Sequence, residues 1–167
     1  MSIGGPGDRA LAEGDAAPHF DLGAEDGVRV RLEDQKGKKV VLFFYPKDDT
    51  PGCTIEACEF RDGSDRFAAE GAVVFGVSPD PVASHVRFRR KYGLNFPLLA
   101  DDGHEVADRY GVWRQKSMYG RTYWGIERST FLINGDGYLA KVWRKVRPKG
   151  HAGDVLAVLS PDSLDAI

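Results

Sequence analysis

Apolar residues fall along this chain in two rhythms, and their order sets out the elements. Residues 19–22 and 28–32 alternate apolar and polar side chains around Glu25-Asp26-Gly27, which predicts two half-exposed strands joined as a hairpin, with His19 in the first. Residues 39–45 form an unbroken β-branched and aromatic run halted by Pro46, the pattern of a central strand covered on both faces. Residues 54–69 then space Ile55, Ala57, Phe60, Phe67 and Ala68 among charges, as a helix does. A second buried strand follows at 72–78. Beyond Pro79-Asp80-Pro81, the spacing of Val82, Val86 and Phe88 predicts a helix over 82–92 that ends near Gly93. A short strand at 97–100, a helix at 104–110, a hairpin of 129–133 and 138–143 around Asn134-Gly135-Asp136-Gly137, and a helix over 150–159 complete the pattern, with His151 at that helix's start.

This order of strands and helices predicts an α/β thioredoxin-like fold: a mixed central sheet flanked by helices, with an N-terminal β-hairpin. The glycine-rich start sets apart residues 1–12 as a flexible segment, leaving 13–167 as a single domain. At 167 residues and 42% hydrophobic content the chain can bury a sizeable core. A net charge of -2 gives no field to gather nucleic acid or an anionic membrane, and no run approaches the roughly 20 apolar residues that span a bilayer. The opening residues lack the charged start and apolar stretch of a signal peptide, so a cytoplasmic protein is expected. Two cysteines are too few for a disulfide scaffold, and a core of this size does not need one, so they point to reactivity.

The informative stretch runs from Phe43 to Cys58: a strand ends, a turn follows, and a helix begins at a cysteine. Cys53 then sits in the first helical turn, where unpaired backbone N–H groups and the positive end of the helix dipole favour a thiolate. The same donors can hold the oxygens of a peroxide. Thr50, three residues before Cys53, is placed for its hydroxyl to donate to the sulfur or the substrate, or to cap the helix. Pro46 and Pro51 restrict the loop and help exclude water.

The run Pro46-x-x-x-Thr50-x-x-Cys53 resembles the signature of the peroxiredoxins, and the resemblance covers nearly the whole globular part. With Cys58 five residues on, and with Gly76-Val77-Ser78-Pro79-Asp80, Phe96-Pro97-Leu98-Leu99 and Glu127-Arg128-Ser129-Thr130-Phe131-Leu132-Ile133 in order downstream, the chain is similar to the bacterioferritin-comigratory, Q-type, atypical two-cysteine branch. The resemblance implies a thiol-dependent peroxidase in which Cys53 passes through a sulfenic acid and Pro46, Thr50 and Arg128 complete its pocket. It also implies that Glu56 orients Arg128, that Gly52 and Tyr45 support the site, and that Cys58 resolves the sulfenic acid as an intramolecular disulfide in a monomer. Thioredoxin or a glutaredoxin-like protein is the implied reductant, with no cofactor and no metal.

A helix that contains both cysteines would hold their Cα atoms roughly 8.6 Å apart, beyond the limit of about 7 Å for a disulfide, so bond formation requires local unwinding. Competing readings are a zinc site from Cys53, Cys58, His85 and His104, a disulfide reductase, and a binding module. The cysteine spacing suits neither a zinc knuckle nor the Cys-x-x-Cys of a reductase. Residues 112–125 mix aromatics with three cations, and are read as a loop beside the active site that serves as an apolar collar, a docking face or packing alone.

Overall fold

The structure is a computed structural model, and it describes residues 10–160. Of the segment 1–12 expected to be flexible, residues 1–9 lie outside the described residues, whereas Leu11 is buried in the core.

Among the described residues, nine strands and five α-helices alternate in broadly the expected order. Strands β1 (Asp21–Ala24) and β2 (Arg29–Arg31) form the N-terminal hairpin, and a single 3-10 turn, Leu32–Gln35, leads to β3 (Lys39–Phe44). Helices α1 (Pro51–Asp62) and α2 (Ser64–Ala69) precede β4 (Ala72–Ser78), α3 (Val82–Tyr92), β5 (Leu98–Ala100) and α4 (Glu105–Arg109). Then come β6 (Trp113–Met118), β7 (Arg121–Ile126), β8 (Ser129–Ile133), β9 (Leu139–Trp143) and α5 (His151–Leu159).

Seven strands form one sheet in the order β2-β1-β5-β4-β3-β8-β9. Parallel pairing joins β3 to β4 and β4 to β5, and the outer pairs are antiparallel, so the sheet is mixed. Alternation along β3 explains its unbroken apolar run. Val40, Leu42 and Phe44 enter one core with Phe131, Tyr110 and Ala107, while Val41 and Phe43 enter the other with Phe60 of α1, Phe88 of α3 and Val155 of α5. Helices therefore cover both faces.

Four sequence expectations are corrected. The helix read as 54–69 starts at Pro51 and breaks at Gly63, because Pro51 suits the first helical position and Gly63 lets Leu156 and Phe67 approach within 3.3 Å of where a Cβ would stand. In α3 the inward residues are His85 and Phe88, and Val82 is exposed. Residues 112–125 are not a loop: β6 and β7 pair as a separate two-stranded hairpin, turning at Tyr119 and Gly120 with φ of 53° and 76°. His19 also falls outside β1, on the surface near Glu33.

Candidate active site

The site is built where the central strand stops. After Phe44 the chain passes through residues 45–50 and enters α1 from Thr50, whose extended backbone (φ −92°, ψ 156°) makes it the residue that precedes the first turn. The first helical bond runs from Thr54 N–H to the Thr50 carbonyl at 2.8 Å. Pro51 has no N–H, so Gly52 and Cys53 carry the unpaired donors of this helix start. Cys53, third in the helix, is 1% exposed.

Arg128 reaches this sulfur from the residue before β8. Its Nη2 lies 3.4 Å from Cys53 Sγ, and its Nη1 donates to Glu56 Oε1 at 2.8 Å. Glu56 is three residues after Cys53 on the same face of α1, and is fully buried, not an exposed helix glutamate. Burial pushes its carboxyl up to about 7, against the pull of Arg128, and Oε2 has no hydrogen-bond partner among the described residues. Burial opposes the charge on Arg128, yet Glu56 and Cys53 together hold the guanidinium above its usual value. Gly52 makes the approach possible, because a Cβ there would stand 3.2 Å from Arg128 Nη2 and 3.3 Å from Pro148 Cγ.

Thr50 differs from expectation. Its hydroxyl donates to the Lys47 carbonyl at 2.9 Å, and it makes neither a bond to Cys53 nor a side-chain cap. With the proton committed to Lys47, the oxygen keeps lone pairs for an incoming O–H. Pro46 is half-buried in the same loop. Tyr45 is buried and donates to Asp48 Oδ1 at 2.6 Å, and its phenol is held well above its ordinary value by burial, then by Asp48. Cys58 is half-buried on α1, and both cysteines are free. They share one unbroken helix, the arrangement in which a Cys53–Cys58 bond requires unwinding.

Two features escaped the sequence reading. Lys116 on β6 folds back to donate to the Ile126 carbonyl at 2.6 Å, and burial, then Arg128, lowers its pKa while Glu127 and Cys53 oppose the change. Behind the loop, Asp48 gathers Tyr45, Ser84 and His85. Neither could be separated in the sequence from ordinary surface polarity. The structure does not bring His85 or His104 to the cysteines: His85 is held by Asp48 and Leu99, and His104 stacks on Trp113 with centroids 3.9 Å apart. His151 begins α5, where its Nε2 meets Thr130 Oγ1 at 2.7 Å and burial lowers it to about 4.

The chain as a whole has counterparts among known proteins. The model of the AhpC/TSA family matches residues 13–142. Peroxiredoxin Bcp of Bacillus subtilis is 51% identical over 146 residues, which cover 87% of this chain and 93% of that protein. A mutant of PrxQ from Xylella fastidiosa superposes with a TM-score of 0.88 at 36% identity, over 93% of this chain and 99% of the other. The bacterioferritin comigratory protein of Xanthomonas campestris, described with an alkyl peroxide reduction activity, superposes at 0.84 with 40% identity over the same shares.

Proposed function

The chain belongs to the AhpC/TSA family and is a thiol-dependent peroxidase with a thioredoxin-like fold, and on that footing we propose that Cys53 is its attacking sulfur and Cys58 its resolving thiol. The observation that carries the reading is the Arg128 contact with the buried sulfur at 3.4 Å, clamped by Glu56.

The Cys53 thiolate attacks one peroxide oxygen, so that an S–O bond forms as the O–O bond breaks and the other oxygen departs with the electron pair. That oxygen leaves as hydroxide or alkoxide and takes up a proton to become water or alcohol. The Gly52 and Cys53 N–H groups and Arg128 face the developing charge, while the Thr50 oxygen accepts the peroxide O–H and Pro46 walls the pocket. Hydrogen peroxide and organic hydroperoxides both fit this chemistry, and the alkyl peroxide activity attached to the Xanthomonas relative supports the second. The Cys58 sulfur then displaces water from the sulfenic acid, and a dithiol protein, thioredoxin or a glutaredoxin-like one, reduces the disulfide. We place this cycle in a monomer, one domain from residue 13 onward, with an antioxidant role in the cytoplasm; among the described residues no helix is long and apolar enough to cross a membrane.

The test is a pair of replacements, Cys53→Ser and Cys58→Ser, assayed for peroxide consumption with thioredoxin and for sulfenic acid trapping by dimedone. The first is expected to lose all chemistry. The second reacts once and stalls as a trappable sulfenic acid. Full turnover of Cys58→Ser with thioredoxin would remove Cys58 from the cycle, and unchanged peroxide consumption by Cys53→Ser would remove the whole assignment.

A further inference from the structure

The loop that leads into α1 is tied down from behind by a buried polar cluster that the sulfur chemistry does not use. Asp48 is its centre. Oδ1 accepts from the Tyr45 hydroxyl at 2.6 Å, and Oδ2 accepts from the Ser84 hydroxyl at 2.7 Å while facing His85 Nδ1 at 2.7 Å. The other ring nitrogen, Nε2, faces the Leu99 carbonyl of β5 at 3.0 Å. The His85 side chain has no exposed surface and that of Asp48 is 4% exposed, so both are out of solvent.

The Leu99 carbonyl oxygen can only accept, so Nε2 donates to it, and Nδ1 shares one further proton with the Asp48 carboxyl. The pair carries no net charge wherever that proton sits, which is the condition under which such groups tolerate burial.

The rest of the loop is fastened to the same elements. Asp48 N–H donates to Asp80 Oδ2 at 2.7 Å, beside the Ser78 hydroxyl at 2.8 Å from that oxygen. Asp49, held at φ 59°, accepts from Lys91 Nζ at 2.8 Å and from the Tyr92 hydroxyl at 2.7 Å. The 48–49 turn is therefore bonded to both the first and the last turn of α3. Pro46 and Thr50 flank it.

We propose that His85 is a positioning residue for the peroxidase: clamped between Asp48 and Leu99, it fixes residues 46–50 on α3 and β5 and so holds Pro46 and Thr50 against the Cys53 sulfur. The inference rests on Cys53 being the attacking group. His85 acts through Asp48 and touches no reacting atom. Removing it leaves the buried Asp48 carboxyl without its imidazole partner, which favours a loop that swings out to water, and a shift of about 1 Å in a reacting geometry costs on the order of 100-fold in rate.

The test compares two rates at Cys53 in the reduced full-length chain: sulfenic acid formation with hydrogen peroxide, and alkylation by iodoacetamide followed on the Cys53 peptide by mass. In His85→Leu the peroxide rate should fall about 10- to 100-fold, while alkylation should rise, because a loosened loop uncovers a sulfur that is 1% exposed. His85→Gln keeps one donor and should show a smaller split in the same directions. A residue that adds only global stability leaves both rates unchanged well below the melting temperature, so unchanged rates in either folded variant overturn the proposal. The wild-type enzyme gives a check that needs no variant: nitrogen-15 spectra should show His85 protonated at Nε2, and a ring protonated at Nδ1 alone refutes the clamp. Wild-type protein that is alkylated at Cys53 yet inert to peroxide would instead defeat the Cys53 assignment.

Discussion

Glu56 and Arg128 divide a burden that neither could carry alone. The guanidinium spans from the carboxylate to the sulfur, so Arg128→Met removes one donor from each. Loss of one preorganised donor at a developing oxyanion typically costs 10²–10³ in rate, about 3–4 kcal/mol, and that is the fall expected in the second-order rate constant for peroxide in stopped-flow. Glu56 predicts a pH signature. Its carboxyl stands at about 7 in the folded protein against 4.5 as the ordinary value. Below 4.5 both folded and unfolded chains hold the proton and the residue is neutral in its effect. Between 4.5 and about 7 the unfolded chain releases a proton that the folded one keeps, so the contribution to stability declines through that window, by on the order of 3 kcal/mol, and levels off above it. Urea titrations from pH 4.5 to 8 should show this decline in the wild-type protein and not in Glu56→Gln; parallel curves for the two would refute it. Arg128, Glu56 and Gly52 could be singled out in the sequence because two separate stretches, residues 43–58 and 127–133, resemble family motifs. The direction of the Thr50 hydroxyl could not, since a hydroxyl near a helix start has several acceptors within reach and only the loop path selects Lys47.

At the scale of elements, α1 is the part that must change. Its first turn carries Cys53 and its middle carries Cys58, and Ala57 and Phe60 fasten it to the core shared with α5. Hydrogen exchange should find residues 54–60 protected in the reduced protein and unprotected in the Cys53–Cys58 disulfide, with α2 beyond Gly63 keeping its protection. Equal protection of α1 in both forms, with the disulfide confirmed by mass, would rule out unwinding. Helix α1 was recognisable from its apolar spacing, but its boundaries were not: the charged and apolar pattern runs smoothly past Gly63, and only the close approach of Leu156 and Phe67 marks the break. The β6–β7 hairpin was invisible for a different reason. Met118, Tyr119, Tyr123 and Trp124 are all exposed, so the hairpin lacks the one-sided burial from which strand alternation is read.

For the whole molecule, the sheet and its two cores were the most legible level, because β3, β4 and β8 are buried on both faces and so write themselves as continuous apolar runs. Packing between the layers is tight enough to test at one atom. A Cβ on Gly76 of β4 would stand 2.9 Å from Phe43 Cζ and 3.0 Å from Leu98 Cδ2, and Phe43 is itself stacked on Phe60 with centroids 4.5 Å apart. Gly76→Ala should therefore lower stability by about 1–3 kcal/mol, read as a drop in melting temperature. An unshifted melt would mean that Phe43 yields more easily than its neighbours imply.

The shared helix of the two cysteines has an electrochemical consequence. In the proposed cycle, oxidation must dismantle packing that the reduced protein enjoys, so the folding free energy of α1 opposes the disulfide and favours the dithiol. Every increment of about 1.4 kcal/mol in helix stability raises the two-electron reduction potential by about 30 mV. Substitutions far from either sulfur, on the buried face of that one helix, would then set how readily a partner dithiol recharges the enzyme.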